Sequence, residues 1–183
     1  MGKYTHIGGT LGALVQQLVR DVPDFPKPGI LFKDITTVLE DGAAFRRIID
    51  TFTERYRGLR IDAVVGMESR GFIFGAPLAH QLGTGLVLAR KQGKLPHRTD
   101  EVTYDLEYGT ATIAMHVGAI RPGQRVVVID DLLATGGTAA ATCQLVERQG
   151  GTVVECAFVI ELVFLQGRSR LNGYDVCTLA RYE

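Results

Sequence analysis

The chain has 183 residues, with 20 Lys plus Arg set against 20 Asp plus Glu. A chain of that length buries a sizeable core as one domain without staples, and its balanced charge argues against nucleic acid or a membrane surface as partner. Cys143, Cys156 and Cys177 sit in apolar runs with no C-x-x-C pair, the pattern of reduced core thiols in a cytosolic protein. No apolar run approaches the ~20 residues of a membrane span, and the first residues lack a secretory apolar region.

In chain order, Leu11, Leu14, Val15, Leu18 and Val19 form one helical stripe over residues 10–20. Pro23, Pro26 and Pro28 then force extended or turn geometry as far as Gly29. The apolar triplet Ile30, Leu31 and Phe32 follows, and from the residues alone it reads as a loop segment capping the core. Asp41 is placed to cap a second helix whose inner face carries Phe45, Ile48, Ile49, Phe52 and Tyr56. Its outer face, with Arg46, Arg47, Asp50, Glu54 and Arg57, reads as solvated, and Gly58 ends it.

A strand over 62–66 leads through Met67-Glu-Ser-Arg-Gly71 into a helix reaching about Leu82. A cation at a helix start is disfavoured by the macrodipole unless an anion is also present, so Arg70 is either a plain surface residue or a ligand for one. A strand over 85–89 precedes Arg90, Lys91, Lys94, His97 and Arg98, five basic side chains on one short loop. Such a loop either solubilises or counter-charges a phosphate group. Residues 97–110 are polar with little apolar periodicity and suggest a mobile lid. Residues 111–117 alternate toward a strand that pairs with the lid's base, and Arg121-Pro-Gly123 makes a turn.

The most informative stretch is Arg125-Val-Val-Val-Ile-Asp-Asp-Leu-Leu-Ala-Thr-Gly-Gly-Thr138. Four β-branched residues make a strand buried on both faces. Asp130 and Asp131 sit at its carboxyl end, before the small-residue turn 134–138 and a helix to about Gln149. A strand, a glycine turn and a helix amino terminus make an anion site, because the first backbone N–H groups lack internal partners. The lysine of a Walker loop and the three spaced glycines of a dinucleotide fingerprint are both missing. Paired carboxylates before a phosphate cradle suit the vicinal hydroxyls of a ribose 5-phosphate, directly or through Mg²⁺. The plainer alternative is an ordinary strand-to-helix turn with a solvated Asp pair. After it, Gly150-Gly151 stops the helix, 153–162 is another buried strand with Glu161 and Leu162 where a base pocket could close, and 175–180 supplies a last strand.

The stretch 126–138 resembles the phosphoribosyl pyrophosphate motif of type I phosphoribosyltransferases, in the form carried by the adenine-specific enzymes of that family. Three further segments resemble the same family in the same order: Pro23 to Ile35, Glu68 to Gly71 with Arg90 to Pro96, and Tyr104 to Gly109. The resemblance implies an α/β fold: a central parallel sheet flanked by helices, a small N-terminal hood over residues 1–40, a core over 41–183, and a flexible catalytic loop. It implies ribose contacts for Asp130 and Asp131, and 5′-phosphate binding for Ala134, Thr135, Gly136, Gly137 and Thr138. Pyrophosphate would fall to Ser69, Arg70, Arg90, Lys91 and Lys94, with a cis peptide at Glu68-Ser69. Adenine would be read by the backbone of Leu31 and Lys33 and stacked on Phe32. The family often has Arg at Lys33, which leaves the backbone contact intact but weakens any bidentate side-chain role. Glu107 would be the proton-transfer group and Tyr108 a positioning group; spacing alone does not separate Glu107 from Glu101 or Asp105. The implied ligands are adenine, phosphoribosyl pyrophosphate, AMP and pyrophosphate. Mg²⁺ would be held mainly by substrate, and the protein would be a cytoplasmic homodimer. Two other readings stand beside this one: specificity for a different purine, and a binding protein that keeps the site without catalysis.

Overall fold

The structure, a computed structural model, describes residues 2–105 and 109–183. The chain runs β1 (Tyr4–His6), α1 (Gly9–Leu18), β2 (Arg20–Pro23), β3 (Leu31–Asp34), α2 (Thr36–Glu40) and α3 (Gly42–Tyr56). It continues with β4 (Ala63–Met67), α4 (Gly71–Leu82), β5 (Gly85–Lys91), β6 (Thr99–Asp105) and β7 (Thr110–His116). The last elements are β8 (Arg125–Leu133), α5 (Gly137–Arg148), β9 (Thr152–Leu162), 3₁₀ turns at Val163–Leu165 and Gly167–Leu171, and β10 (Val176–Tyr182).

The main sheet has the order β1-β10-β9-β8-β4-β5-β7-β6. It is parallel from β1 to β5, as the alternation of strands and helices requires. Its far edge departs from that pattern: β7 pairs antiparallel with both β5 and β6. The segment expected to be an irregular lid is therefore in part the strand β6. Its alternation is carried by buried Val102 and half-buried Asp100 and Tyr104, with Glu101, Thr103 and Asp105 facing out, too few apolar residues to register as periodicity.

Helices cover both faces of the sheet. The four β-branched residues of β8 divide between them: Val127 and Ile129 join Ile48, Phe52, Phe74 and Leu78 on one side, and Val126 and Val128 join Met115, Leu145 and Phe158 on the other. That period-2 division buries every member of the run and accounts for its lack of polar residues. The helix α3 begins where expected, with the Asp41 carboxylate accepting from the N–H groups of Ala43 (3.0 Å) and Ala44 (2.9 Å). Its outer face carries only exposed ion pairs, Arg46–Asp50 and Arg57–Glu54. All three cysteines are free and buried, with the sulfurs of Cys143 and Cys156 3.4 Å apart.

The first forty residues contribute to the same core through Leu11, Val15, Val19, Ile35 and Val38. Between them, β2 and β3 form a separate antiparallel hairpin. The triplet at its return strand does not cap the core: Ile30 and Leu31 are exposed, and Phe32 meets Phe25 edge-on at 5.1 Å. No helix among the described residues is long and apolar enough to cross a membrane.

The cap on α3 gives a direct stability test. Replacing Asp41 by Ala removes two hydrogen bonds to an otherwise orphaned first turn and should cost about 1 kcal/mol in urea unfolding, with the slope unchanged; a loss near zero would mean that water replaces the cap.

Candidate functional site

Two strand-to-helix turns meet at the carboxyl edge of the sheet, one after β4 and one after β8. Their strands are neighbours, so residues at the two strand ends face the same crevice. The approach is closer than ordinary packing because Gly71 opens α4: a Cβ there would lie 2.6 Å from the Ile129 carbonyl oxygen and 3.0 Å from Asp130 Oδ1. Neither α4 nor α5 has a side-chain cap on its first turn; in α4 the Phe72 and Ile73 N–H groups bond back to the Ser69 and Arg70 carbonyls, so it is the start of α5 that leaves helix N-terminal N–H groups for an anion.

Glu68, Ser69, Arg70, Lys91, Asp130, Asp131 and Leu132 line a cleft of about 250 Å³. Arg70 Nε donates to Asp131 Oδ2, so the two turns are joined across it by an ion pair. The Glu68–Ser69 peptide is cis, as the resemblance implies. Beside the cleft, a pocket of about 80 Å³ is lined by Asp130, every residue from Leu132 to Ala139, Met67 and Phe158. The expected cradle Ala134–Thr138 thus forms one wall, and Asp130 borders both the pocket and the larger cleft.

The carboxylates differ. Asp131 is almost fully buried and satisfied by Arg70. Asp130 accepts the Asp131 N–H at 2.9 Å; burial first, and the neighbouring Asp131 charge second, push its carboxyl well above the usual range, with Arg70 pulling the other way. Among the described residues no group of three or more His, Cys, Asp or Glu side chains is placed to hold a metal.

The basic segment after β5 is organised by Glu68. Its carboxylate accepts from Arg90 Nε at 3.1 Å and from the Lys91 N–H at 3.0 Å. Burial raises its pKa, but these two contacts outweigh burial and leave it lowered. Arg90 also donates to the Lys94 carbonyl at 2.9 Å. Of the expected pyrophosphate set, Ser69, Arg70 and Lys91 line the cleft; Arg90 stands behind Glu68, and Lys94 lies in the following turn. On the hairpin side, the Arg70 guanidinium lies 5.9 Å from the Phe32 ring centroid, which brings β3 to the same crevice. The Lys33 ammonium is bonded to Asp21 (2.6 Å) and sits over the Tyr182 ring, leaving the backbone for recognition. Glu107 and Tyr108 lie outside the described residues.

The model of the phosphoribosyl transferase domain matches residues 34–176. An adenine phosphoribosyltransferase of Roseiflexus sp. (strain RS-1) is 59% identical over 165 residues, 90% of this chain and 96% of that protein. The chain belongs to the phosphoribosyltransferase family. The crystal structure of adenine phosphoribosyltransferase from Rhodothermus marinus superposes with a TM-score of 0.90 at 53% identity, covering 96% of this chain and 100% of that one. The Trypanosoma brucei enzyme, solved in complex with AMP, pyrophosphate and ribose-5-phosphate, gives 0.90 at 28% identity, covering 99% and 84%.

Within this phosphoribosyltransferase, several supports of the site had no signal in the sequence. The turn Gly167–Leu171 braces the cradle: a Cβ at Gly136 would meet the Gly167 carbonyl oxygen at 2.2 Å, and one at Gly167 would meet the Ala134 carbonyl oxygen at 2.2 Å. Glu161, at the end of β9, fixes that turn by pairing with Arg168 through two hydrogen bonds, and it also accepts from the Tyr4 hydroxyl at 2.9 Å. Tyr4 lies far from Glu161 in the chain, and the seven-residue spacing of Glu161 and Arg168 is not one at which side chains of a single helix or strand meet.

The raised Asp130 carboxyl has a consequence for stability. A folded-state pKa above the unfolded one means that ionising Asp130 costs stability as pH rises through the folded value, and that the cost vanishes below about pH 4. Asp130→Asn keeps an oxygen to accept the Asp131 N–H and removes the buried charge. Its Tm at pH 8 should exceed the parent's, on a scale of about 2–4 °C per kcal/mol, with the gap closing on acidification. An equal or lower Tm at pH 8 would contradict the assignment.

Proposed function

We propose that this chain transfers the 5-phosphoribosyl group of phosphoribosyl pyrophosphate to adenine, giving AMP and pyrophosphate, the salvage of a free purine. The observation that carries this reading is the adjacency of two anion-receptive turns on either side of Asp130 and Asp131. A sugar carrying a phosphate at one end and a diphosphate at the other needs two such cradles, one at each end of its hydroxyls. The names and bound ligands of the relatives supply the base.

In the reaction the C1′–O bond to pyrophosphate breaks as adenine N9 bonds to C1′, through a transition state with oxocarbenium character. Asp130 and Asp131 hold the ribose hydroxyls, and the 134–138 cradle holds the 5′-phosphate, so the sugar is fixed from two sides while its anomeric carbon moves between partners. Charge gathers on the leaving diphosphate, which Ser69, Arg70 and Lys91 receive, with Arg90 and Lys94 closing from the adjoining turn. For this the Arg70–Asp131 pair must open, with each partner exchanging the other for a substrate group. Mg²⁺ fits the oxygen donors Asp130 and Asp131 together with those of the substrate, and when bound it would neutralise diphosphate charge.

The N-terminal hairpin covers the base: Leu31 and Lys33 meet its edge through their backbones, and Phe32 stacks on its face. Glu107 exchanges the purine proton, with Tyr108 positioning, general acid–base help worth roughly 10²–10⁴-fold. Closure of the segment around them excludes water that would hydrolyse the activated sugar. We further assign residues 1–40 to purine recognition and 41–183 to the transferase core, and carry over from the family a cytoplasmic homodimer.

Nucleoside monophosphate formation, measured with adenine, hypoxanthine and guanine in turn and with and without Mg²⁺, tests the reading. Turnover with adenine alone, dependent on Mg²⁺, is expected; turnover with a 6-oxopurine instead would reassign the base, and none with any base would leave a binding protein. Asp131→Asn should lower kcat/KM for phosphoribosyl pyrophosphate about 10–100-fold, the scale of a lost charge-assisted hydrogen bond, with Tm preserved. Parental kinetics in that variant would remove Asp131 from the ribose site.

A further inference from the structure

The β6–β7 hairpin is seated on the phosphate cradle by the last residues of β6. Tyr104 places its phenol oxygen 2.8 Å from Thr138 Oγ1. Its ring lies against Gly137, where a Cβ would come within 2.9 Å of Tyr104 Cδ2. The next carbonyl, that of Asp105, accepts from Arg170 Nη1 at 3.0 Å. The strand is therefore tied to both walls of the cradle, the start of α5 and the turn Gly167–Leu171.

The hydroxyl pair has a direction that chemistry can assign. A threonine hydroxyl carries one proton and two acceptor sites, and a phenol carries one proton. Two hydroxyls in contact share a single hydrogen bond, and the donor is set by what else demands a proton. A phosphate at the start of α5 presents only acceptors at neutral pH. Thr138 then has one proton to give it, and can give it only if the phenol donates to Thr138. Neither hydroxyl has another side-chain or backbone partner for its own hydrogen among the described residues.

We propose that Tyr104 is a positioning residue for phosphate recognition: its phenol donates to Thr138 Oγ1 and so aims the single Thr138 proton at a phosphate oxygen. This rests on the reading of 134–138 as the 5′-phosphate site. It adds a residue outside that cradle, chosen by the fold and not by the motif.

The test is Tyr104→Phe, which keeps the ring against Gly137 and removes only the oxygen. Affinity for AMP should fall about three- to tenfold, the range for one hydrogen bond. KM for phosphoribosyl pyrophosphate should rise in proportion, while KM for adenine, which has no phosphate, and kcat stay near the parent's and Tm moves little. In a Thr138→Val background the same change should cost nothing further, because the phenol acts through Thr138. Unchanged AMP affinity, an equal rise in KM for adenine, or additive losses in the double variant would each overturn the proposal. Parent protein that forms no AMP and binds none would overturn the cradle reading itself, a result separable from a variant that matches an active parent.

Discussion

The site depends on one electrostatic constraint: two carboxylates side by side at the end of a buried strand, Asp131 buried and Asp130 half-buried. Ionising both there is costly unless cations or helix N-termini answer them. The chain supplies Arg70 to Asp131 and leaves Asp130 with a raised pKa. Burial and like charge thus hold Asp130 toward its neutral form, and the pair stands between the turn that opens α4 and the uncapped start of α5.

Everything around the pair serves to hold the two turns at fixed distance. Gly71 allows α4 to press onto the end of β8, and Gly136 and Gly167 let two backbone turns interlock. Glu161 anchors the outer turn through Arg168, and Glu68 sets the basic segment after β5. These two acids perform the same task at two strand ends, each holding an arginine in one place.

The parts legible in the sequence were those whose chemistry lies in contiguous residues. The run Val126–Ile129 specified a doubly buried strand, and Asp41 marked the start of α3. Contacts between distant residues left no local trace: Glu161 with Tyr4, Tyr104 with Thr138, and Arg170 with Asp105. The strand β6 was missed because its inward face mixes Asp100, Val102 and Tyr104, so alternation is written in size and aromaticity more than in hydropathy. The triplet at Leu31 was misleading for the opposite reason: apolar residues suggested core, yet the hairpin holds Ile30 and Leu31 exposed.

The central claim is that the acids and the glycine bend grip one sugar phosphate from two sides. The most direct measurement is a crystal structure of the protein with AMP. The account predicts the 5′-phosphate within hydrogen-bond distance of the N–H groups and hydroxyls of residues 135–138, with Asp130 and Asp131 directed to the ribose hydroxyls. A nucleotide seated elsewhere, or a bound ribose with both carboxylates turned from it, would contradict it.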